Sequence, residues 1–191
     1  MGSIVVSENL TLDGVMEAPT GENGDKGWFD GISDTDRAAW AEAELDEVLH
    51  AESLLMGRTT YEFFAGRWPL RSGPWADRLN SMPKCVVSTT LTDPRWTNST
   101  VLAGAVVDEV SRLKQAVDGE TVVYGSRKLV RLLLDNDLVD GLRLIVCPFV
   151  VGAGARLFDG PGATGTTWRL VEARAIGDNL ALLAYERTSD A

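Results

Sequence analysis

The sequence predicts an α/β fold with a mostly parallel central sheet, helices on both faces and an antiparallel C-terminal edge. Strand-like and helix-like patterns alternate through the first two thirds of the chain, which is typical of parallel sheets covered by helices. The last third changes to three strand-like segments, and Ile176-Gly177-Asp178-Asn179 has the composition of a hairpin turn. The 191 residues contain no internal repeat and no linker, so we expect one domain from residue 1 to residue 191.

The first predicted strand, residues 4–7, precedes a polar, glycine-rich loop over residues 13–31. A helix is expected over residues 35–50, because apolar residues recur there at spacings of three and four. Its predicted buried stripe consists of Ala38, Ala41, Leu45, Val48 and Leu49. Ser33 and Asp36 have the spacing of a capping box, which explains Asp36 as the cap partner of Ser33.

The remaining elements follow in the same alternating order. Further strands are predicted at residues 53–56, 84–88, 100–102 and 121–124, and later at residues 141–151, 167–175 and 179–187. One helix carries its apolar face on Val107, Val110, Leu113 and Val117, and the next on Leu129, Val130, Leu133 and Leu134. Ser126 is expected to cap this second helix through its hydroxyl.

Composition excludes several kinds of chemistry. The 28 acidic residues exceed the 18 basic ones, and a net charge of −10 argues against nucleic acid or an anionic membrane as the main partner. His50 is the only histidine and no C-x-x-C pair is present, so no metal site is expected. Cys85 and Cys147 lie in apolar runs, which favours reduced thiols. Without an apolar span or a signal-like start, we expect a cytoplasmic protein.

The most informative segment is the first of three strand-to-turn junctions. The apolar run ending at Met56 is followed directly by Gly57-Arg58-Thr59-Thr60 and a helix-compatible pattern. A buried strand that turns through Gly into a helix presents free backbone N–H groups and a guanidinium at one place. This first junction, residues 57–60, therefore has the composition of a phosphate site.

The second junction, Ser88-Thr89-Thr90, ends a strand in three hydroxyl groups. In dinucleotide-binding sheets an acidic residue at a strand end holds the ribose hydroxyls of NAD, and hydroxyls would instead accept the extra phosphate of NADP. An ordinary Ser/Thr turn explains the same residues. The third junction, Gly125-Ser126-Arg127-Lys128, places two cations at a helix start, which is unfavourable unless an anion binds there or both side chains point into water.

Taken in order, these motifs resemble the dihydrofolate reductase-like family, in the branch similar to the reductase domain of the bifunctional riboflavin-biosynthesis deaminase-reductase. The resemblance covers nearly the whole chain and implies that family's three-layer α/β fold. It is carried by Ser7 with Leu12-Asp13-Gly14, Leu55-Met56-Gly57-Arg58-Thr59-Thr60-Tyr61, Lys84-Cys85-Val86-Val87-Ser88, Val123-Tyr124-Gly125-Ser126, Leu138-Val139-Asp140, and Pro148-Phe149-Val150-Val151-Gly152-Ala153-Gly154 with Leu157-Phe158.

The resemblance implies an NADPH site. Gly57, Arg58, Thr59 and Thr60 would meet the phosphates, and Ser88 and Thr89 would lie beside the adenosine 2′-phosphate. The pyrophosphate would be cradled by Gly125, Ser126, Arg127, Lys128 and Leu129. The Gly152-Ala153-Gly154 stretch lacks the third glycine of a nucleotide fingerprint and is interpreted as a turn between strands.

Two departures from the family pattern bear on the activity. The zinc signature of the deaminase domain is absent, so a stand-alone reductase is expected. The pterin-binding carboxylate of true dihydrofolate reductases has no assigned counterpart among the helix residues Asp36, Glu42, Glu44 and Glu47. The usual Gly-Gly of the third junction is Gly125-Ser126, which further weakens a folate assignment.

On the substrate side, Asp13 and Gly14 are expected to approach the pocket, and Trp28 to stack on a planar substrate or to anchor its loop on the core. The predicted function is an NADPH-dependent oxidoreductase that transfers hydride to a small pterin- or pyrimidine-like heterocycle or to a carbonyl compound. The alternatives are a nucleotide-binding module without turnover and a true dihydrofolate reductase. The proton could be delivered by Asp13, by water or by a helix carboxylate, and the sequence leaves this choice open. Separately, apolar β-edges in the last third of the chain favour a homodimer.

Overall fold

The computed structural model describes residues 2–16, 27–158 and 166–188, so part of the predicted loop over residues 13–31 lies outside the described residues. Strands and helices alternate as predicted. The strands are β1 (Ser3–Thr11), β2 (Ala51–Gly57), β3 (Lys84–Val87), β4 (Ser99–Leu102), β5 (Glu120–Tyr124), β6 (Gly141–Cys147), β7 (Trp168–Ile176) and β8 (Leu180–Arg187). The α-helices are α1 (Asp34–His50), α2 (Arg58–Ala65), α3 (Pro74–Ser81), α4 (Val106–Ala116) and α5 (Arg127–Asp135).

The strands form one sheet in the order β4-β3-β2-β5-β1-β6-β8-β7. Every neighbouring pair from β4 to β6 is parallel, and β8 alone runs antiparallel to both of its neighbours, β6 and β7. The predicted mostly parallel sheet with an antiparallel C-terminal edge is therefore confirmed. Because β1, β2, β3 and β5 are parallel, their C-terminal ends lie along the same edge of the sheet, where open α/β sheets bind ligands.

Helices cover both faces, as predicted. On one face, Val110 of α4 and Val130 of α5 pack against Ile4 and Val6 of β1. On the other face, helices α1, α2 and α3 contribute to a core with β2, β3 and β5, whose buried members are Val48, Ala51, Leu54, Met56, Tyr61, Leu79, Met82, Val86, Trp96, Val122 and Tyr124. Alternate residues of the central strands point to opposite faces, and each face buries apolar surface, which is the main favourable contribution to folding.

The predicted buried stripe of α1 is wrong. Ala38, Ala41 and Leu49 are exposed, and only Val48 of that stripe is fully buried. The helix instead buries Asp36 and Glu44: residues of the β7–β8 turn bond Asp36, and strand residues Asn9 and Tyr124 bond Glu44. An apolar repeat identifies the buried face of a helix only if apolar side chains form that face. The buried face of α1 instead carries carboxylates that have specific hydrogen-bonding partners.

The N-terminal end of α1 is held by Asp36. The Ser33 side chain accepts a hydrogen bond from the Asp36 N–H at 3.1 Å, which confirms the predicted cap. The Asp36 carboxylate also accepts from the N–H groups of Asp178 and Asn179, at 2.7 and 3.0 Å, and from the Asn179 amide. These bonds connect α1 to the β7–β8 turn, where Gly177 has a φ of +60°, as a tight hairpin requires.

Several strand bounds differ from prediction. The first strand, expected over residues 4–7, runs from Ser3 to Thr11. The strand expected over residues 141–151 ends at Cys147, because Pro148 has no N–H to continue the ladder. The strand expected over residues 84–88 ends at Val87, and the hydroxyl-rich turn begins at the next residue.

His50 is the last residue of α1, as predicted. No helix in the described ranges is both long and apolar enough to cross a membrane.

Candidate active site

The first and third junctions are in direct contact at the C-terminal edge of the sheet. The Gly57 N–H donates to the Ser126 hydroxyl oxygen at 2.6 Å, and the Ser126 hydroxyl donates to Thr60 Oγ1 at 2.9 Å. Ser126 occupies the N-cap position of α5, but its side chain makes no capping bond, so the prediction of a hydroxyl cap is wrong. The reason is its left-handed backbone, with φ 66° and ψ 50°, which turns the hydroxyl toward α2 instead.

Two glycines allow this close approach. A Cβ on Gly57 would lie 2.9 Å from the Ser126 hydroxyl, and a Cβ on Gly125 would lie 2.9 Å from Thr60 Oγ1. Gly125 also has a φ of +55°, a conformation that side-chain-bearing residues rarely adopt. The two turns therefore form a surface of backbone and hydroxyl groups in which neither glycine can gain a side chain without displacing its neighbour.

The first and second junctions are joined by Arg58. Its guanidinium donates to Thr90 Oγ1 at 2.6 Å and to the Glu62 carboxylate at 2.7 Å. The Ser88 hydroxyl accepts from the N–H groups of Thr90 and Leu91, at 3.2 and 3.0 Å, and thereby fixes the turn after β3. Arg58 is half exposed, so it remains accessible to an anion at this edge.

The other predicted nucleotide residues lie at the same junctions. Thr59, Thr89 and Lys128 are exposed, whereas Arg127 is half-buried. Leu129 is buried in the core, and its N–H donates to the Ser126 carbonyl at 2.7 Å. The structure thus brings Gly57, Arg58, Thr60, Ser88, Gly125 and Ser126 into one continuous set of contacts along the sheet edge.

Asp13 lies two residues after the end of β1, where its carboxylate accepts hydrogen bonds from several donors. It accepts from Thr11 Oγ1 at 2.6 Å and from the N–H groups of Val151 and Gly152, at 3.2 and 2.9 Å. The Thr11 hydroxyl and these backbone groups hold the pKa of Asp13 well below its usual range. The ionised carboxylate of Asp13 anchors the segment after β6. Because it carries no proton to donate, Asp13 is disfavoured among the three alternatives for proton delivery.

Gly14 and Trp28 flank this region. Gly14 has a φ of +78°, and its carbonyl accepts from the Leu157 N–H at 3.3 Å. Trp28 is half-buried and packs its ring against Phe29 and Phe149, with centroids 6.0 and 6.2 Å away. Gly152 donates to Asp13, as expected of a turn between strands rather than a phosphate loop.

A buried group of carboxylates on α1 was not assigned from the sequence. Glu44 is 6% exposed, and burial raises its pKa well above the ordinary value, with the negative charges of Glu47 and Glu8 adding to the shift. Hydrogen bonds from Tyr124 and Asn9 oppose that shift in Glu44. Glu44 lies in the helix that precedes β2, together with the other three carboxylates named in the sequence analysis, Asp36, Glu42 and Glu47.

Tyr124 and Arg143 connect this group to its neighbours. The Tyr124 hydroxyl donates to Glu47 Oε1 at 2.7 Å, and the Arg143 guanidinium lies 3.3 Å from Glu47 Oε2. Burial raises the pKa of Glu47 even though Tyr124 and Arg143 both act to lower it. Arg143 also makes a two-pronged contact with the Glu120 carboxylate. The sequence analysis missed this group, although Trp40, Glu44 and Glu47 have the i, i+4, i+7 spacing of a single helix face.

Glu8 is a further buried carboxyl, on β1. It is 8% exposed, and burial raises its pKa to about 8, although the Gly125 N–H donates to it. Its Oε1 has no hydrogen-bond partner within the described ranges. Burial disfavours the charged form of a carboxyl that has no counter-charge, which is the cause of the raised pKa of Glu8.

Trp40 of α1 belongs to a group of packed aromatic rings. Trp40 packs against Trp75, and Trp75 against Trp68, with ring centroids 5.9 and 4.3 Å apart. The Trp40 indole N–H donates to Asn9 Oδ1 at 2.9 Å. The indole nitrogens of Trp68 and Trp75 are buried, and no partner for them lies in the described part of the chain. This region combines three mutually packed aromatic rings with two buried indole donors.

Comparisons with known proteins agree with this architecture. The RibD C-terminal domain family matches residues 3–182 of the chain. The uncharacterized protein YyaP of Bacillus subtilis (strain 168) is 26% identical over 160 residues, which cover 81% of this chain and 79% of that protein.

Solved structures share the fold at low identity. A protein of Shewanella sp. PV-4 with a suggested role in riboflavin biosynthesis has a TM-score of 0.71 at 19% identity, covering 98% of this chain and 99% of its own. Dihydrofolate reductase from Enterococcus faecalis, complexed with NADP(H), has a TM-score of 0.64 at 14% identity, covering 98% and 97%. A pyrimidine reductase-like protein of Corynebacterium diphtheriae has a TM-score of 0.62 at 13% identity, covering 98% and 92%.

The fold and the family match confirm the resemblance that the sequence motifs indicate. The chain is a reductase-like domain with the dihydrofolate reductase-like three-layer architecture, and it belongs to the RibD C-terminal domain family.

Proposed function

We propose that this protein is an NADPH-dependent oxidoreductase that transfers hydride to a small heterocyclic or carbonyl substrate. The observation that carries the proposal is the contact between three chain segments: Gly57 bonds Ser126, and Arg58 bonds Thr90. A nucleotide carrier has phosphates at several positions, so it needs donors from separate turns that meet along one edge.

The residues at this edge fit a phosphorylated nucleotide. Gly57 and Gly125 let the backbone approach closely, and an added Cβ at either would meet a hydroxyl at 2.9 Å. Arg58, Arg127 and Lys128 supply positive charge beside two helix starts, where anions are favoured. The turn after β3 presents Ser88, Thr89 and Thr90 and no carboxylate, which favours the phosphate of NADPH over the free ribose hydroxyl of NADH.

The substrate side of the proposal is based on α1 and the aromatic rings. Glu44 and the indoles of Trp40, Trp68 and Trp75 suit a flat, polar ring or a carbonyl group, which can stack and accept hydrogen bonds at once. When bound, the nicotinamide would supply the hydride. The residues of this chain would orient the substrate, exclude water and supply the accompanying proton.

Two other functions make different predictions. A true dihydrofolate reductase is favoured by one observation, the buried carboxylate of Glu44 on the helix before β2. A nucleotide-binding module without turnover would keep the three junctions and show no reduction of any substrate. Protection by methotrexate against thermal unfolding would support the folate enzyme, and its absence would count against it.

The test begins with calorimetric titration of NADPH and of NADH. We expect NADPH to bind more tightly, and failure of both nucleotides to bind would refute the reductase and the binding module together. A screen for NADPH consumption with pterins, ribosylated pyrimidines and simple carbonyl compounds then separates the two, because binding without turnover supports the module.

A further inference from the structure

Glu8 is a buried carboxyl on β1 that touches the third junction. The register of the sheet pairs Ser7 of β1 with Tyr124 of β5. The residues that follow them, Glu8 and Gly125, are therefore neighbours across these two strands. The Gly125 N–H donates to the Glu8 carboxyl, and the Glu8 side chain is 8% exposed. Glu8 thus contacts, from the interior, the turn that leads into α5.

The surroundings of Glu8 are apolar. Side chains alternate along a strand, and Val6 and Leu10, two residues to either side of Glu8, belong to the core that Val130 of α5 completes. Glu8 is therefore placed in the layer between the sheet and α5. Its Oε1 is buried and has no hydrogen-bond partner among the described residues. A carboxyl group with so few donors is held there without the partners that usually stabilise its charge.

The turn that Glu8 contacts is also the turn proposed to hold the pyrophosphate. Gly125 and Ser126 both have left-handed backbone, with φ of +55° and +66°, and α5 begins at the next residue. The positive end of the helix dipole is favourable for an anion at this place. An ionised Glu8 below the turn and a phosphate above it would use the same backbone dipoles. Their mutual repulsion is poorly screened, because Glu8 is shielded from water.

We propose that Glu8 is a positioning residue of the nucleotide site, and that a phosphate group at the start of α5 binds in preference to the protein in which Glu8 carries a proton. The neutral carboxyl supports the turn through the Gly125 N–H, whereas the ionised carboxyl opposes the phosphate charge. The inference rests on the proposed function, because that function assigns nucleotide phosphates to the third junction.

The proton affinity of Glu8 sets the pH range of the effect. Burial raises its pKa to about 8, the Gly125 N–H acts to lower it, and the negative charge of Glu47 adds to the rise. Glu8 is therefore mostly protonated at pH 7 and mostly ionised at pH 9. A bound phosphate raises the pKa further, since a nearby negative charge favours the neutral carboxyl. Binding then takes up a proton wherever free Glu8 has lost it, and affinity falls as the pH rises through 8.

The elements around Glu8 carry other charged or titratable side chains. These are Tyr124 of β5, Arg143 of β6, Arg127 and Lys128 of α5, and, across the sheet, Glu44 and Glu47 of α1. Burial raises the pKa of Tyr124 well above its ordinary value, so the phenol stays neutral in this range. Lys84, whose pKa burial lowers to about 8, donates to carbonyl groups at the end of α3. The effect of Glu8 is therefore measured as the difference between the wild type and a Glu8 variant.

Titration calorimetry of the whole protein tests the inference. NADPH and ADP, which has the pyrophosphate without the nicotinamide, are titrated at pH 7 and pH 9 in buffers of different ionisation enthalpy, so that the protons taken up are counted. Relative to Glu8→Gln, we expect the wild type to take up close to one more proton at pH 9 and almost none more at pH 7. Its affinity should be about tenfold weaker at pH 9, because about one tenth of the free protein is then protonated at Glu8.

Three variants separate charge from hydrogen bonding. Glu8→Gln keeps the shape and an oxygen acceptor for the Gly125 N–H, so it should lose the difference between the two pH values and keep the affinity of pH 7. Glu8→Leu also lacks the acceptor and should bind about tenfold less tightly at both pH values. Glu52→Gln, at an exposed residue near the opposite end of β2, is the matched control and should behave like the wild type.

The outcomes are distinguishable. Wild-type proton uptake equal to that of Glu8→Gln overturns the inference, while tight binding of NADPH still supports the proposed function. ADP binding with Glu8-dependent proton uptake, but without turnover of NADPH by any substrate, supports the inference and contradicts the reductase. Absence of binding by both ligands refutes both. Circular dichroism verifies the fold of each variant, and if Glu8→Leu does not fold, the comparison of wild type with Glu8→Gln still decides.

Discussion

The backbone N–H of Gly57 donates to the hydroxyl of Ser126 at 2.6 Å and joins segments 69 residues apart in the chain. Neighbouring Gly125 is constrained separately, because its φ is +55° and an added Cβ would lie 2.9 Å from Thr60 Oγ1. The C-terminal ends of β2 and β5 and the N-terminal ends of α2 and α5 therefore meet at one small surface. Gly57 and Gly125 allow these segments to approach closely.

Gly125→Ala is expected to destabilise the fold by about 2–4 kcal/mol, from left-handed strain plus the clash with Thr60. Gly152→Ala is the matched control, because Gly152 has a φ of +78° with nothing within 4 Å of the added Cβ. It should cost only the strain, about 1–2 kcal/mol. Urea unfolding measures both, and equal losses would show that the Thr60 contact contributes nothing.

Arg58→Ala is expected to weaken NADPH binding by about 1.5–3 kcal/mol, if the guanidinium makes a charge-assisted bond to phosphate. Calorimetric titration gives the affinity. Arg112→Ala is the control, since Arg112 also pairs with a glutamate of its own helix, at 3.1 Å from Glu109, away from the three junctions. An unchanged affinity in Arg58→Ala would remove this residue from the proposed site.

Glu8 makes stability fall as the pH rises. Its folded pKa is about 8 against an ordinary value of 4.5, so the folded state keeps a proton that the unfolded chain releases. The stabilisation is complete below pH 4.5 and is lost as pH rises through 8, by an amount on the order of a few kcal/mol. Glu8→Gln should flatten this dependence in urea unfolding at pH 6 and pH 9.

Glu172→Gln, on the exposed strand β7, is the control for the Glu8 experiment and should leave the dependence as in the wild type. A Glu8→Gln variant with the wild-type slope would show that Glu8 is ionised in the folded protein.

Asp36 acts in the acidic range with the opposite sign. Hydrogen bonds from Asn179, Ser33 and Asp178 lower its pKa to about 2, so the folded state favours the ionised form. This stabilisation is present above the ordinary value of 3.8 and is lost as the pH falls toward 2. Asp36→Asn should lower the urea midpoint at pH 7 more than at pH 3. The same loss at both pH values would show that the charge is irrelevant.

Strand β7 is proposed to pair with a second copy of the chain. Its residues from Arg169 to Ala175 are exposed, including Leu170 and Val171, and edge strands of this kind pair readily. A two-fold axis at Ala173 would place Glu172 of each chain opposite Arg174 of the other, which is a self-complementary arrangement.

Light scattering should therefore give twice the chain mass for the wild type and one chain mass for Leu170→Glu. Leu70→Glu, at a residue that is 88% exposed on another surface, should remain dimeric. A monomeric wild type would end the proposal.

The sequence predicted the junctions well because each is local. A buried strand, a glycine and a helix start occupy adjacent positions, so Gly57 and Gly125 could be placed at the sheet edge from spacing alone. The inward face of α1 was predicted wrongly, because Glu44 and Glu47 are buried by partners that come from β1, β5 and β6, distant in sequence. The Ser126 hydroxyl was misassigned for the same reason: its partners, Gly57 and Thr60, belong to another segment.

The connection between Asp36 and the final hairpin also bears on how this chain folds. Asp36 and its partners Asp178 and Asn179 are 142 and 143 residues apart, so the helix that carries Glu44 acquires this anchor only after residues 178 and 179 have been synthesised. Strand β8, which follows β7 in the chain, lies between β6 and β7 in the sheet. Contacts of such long range slow folding, and we expect the interior carboxyls to become shielded from water last.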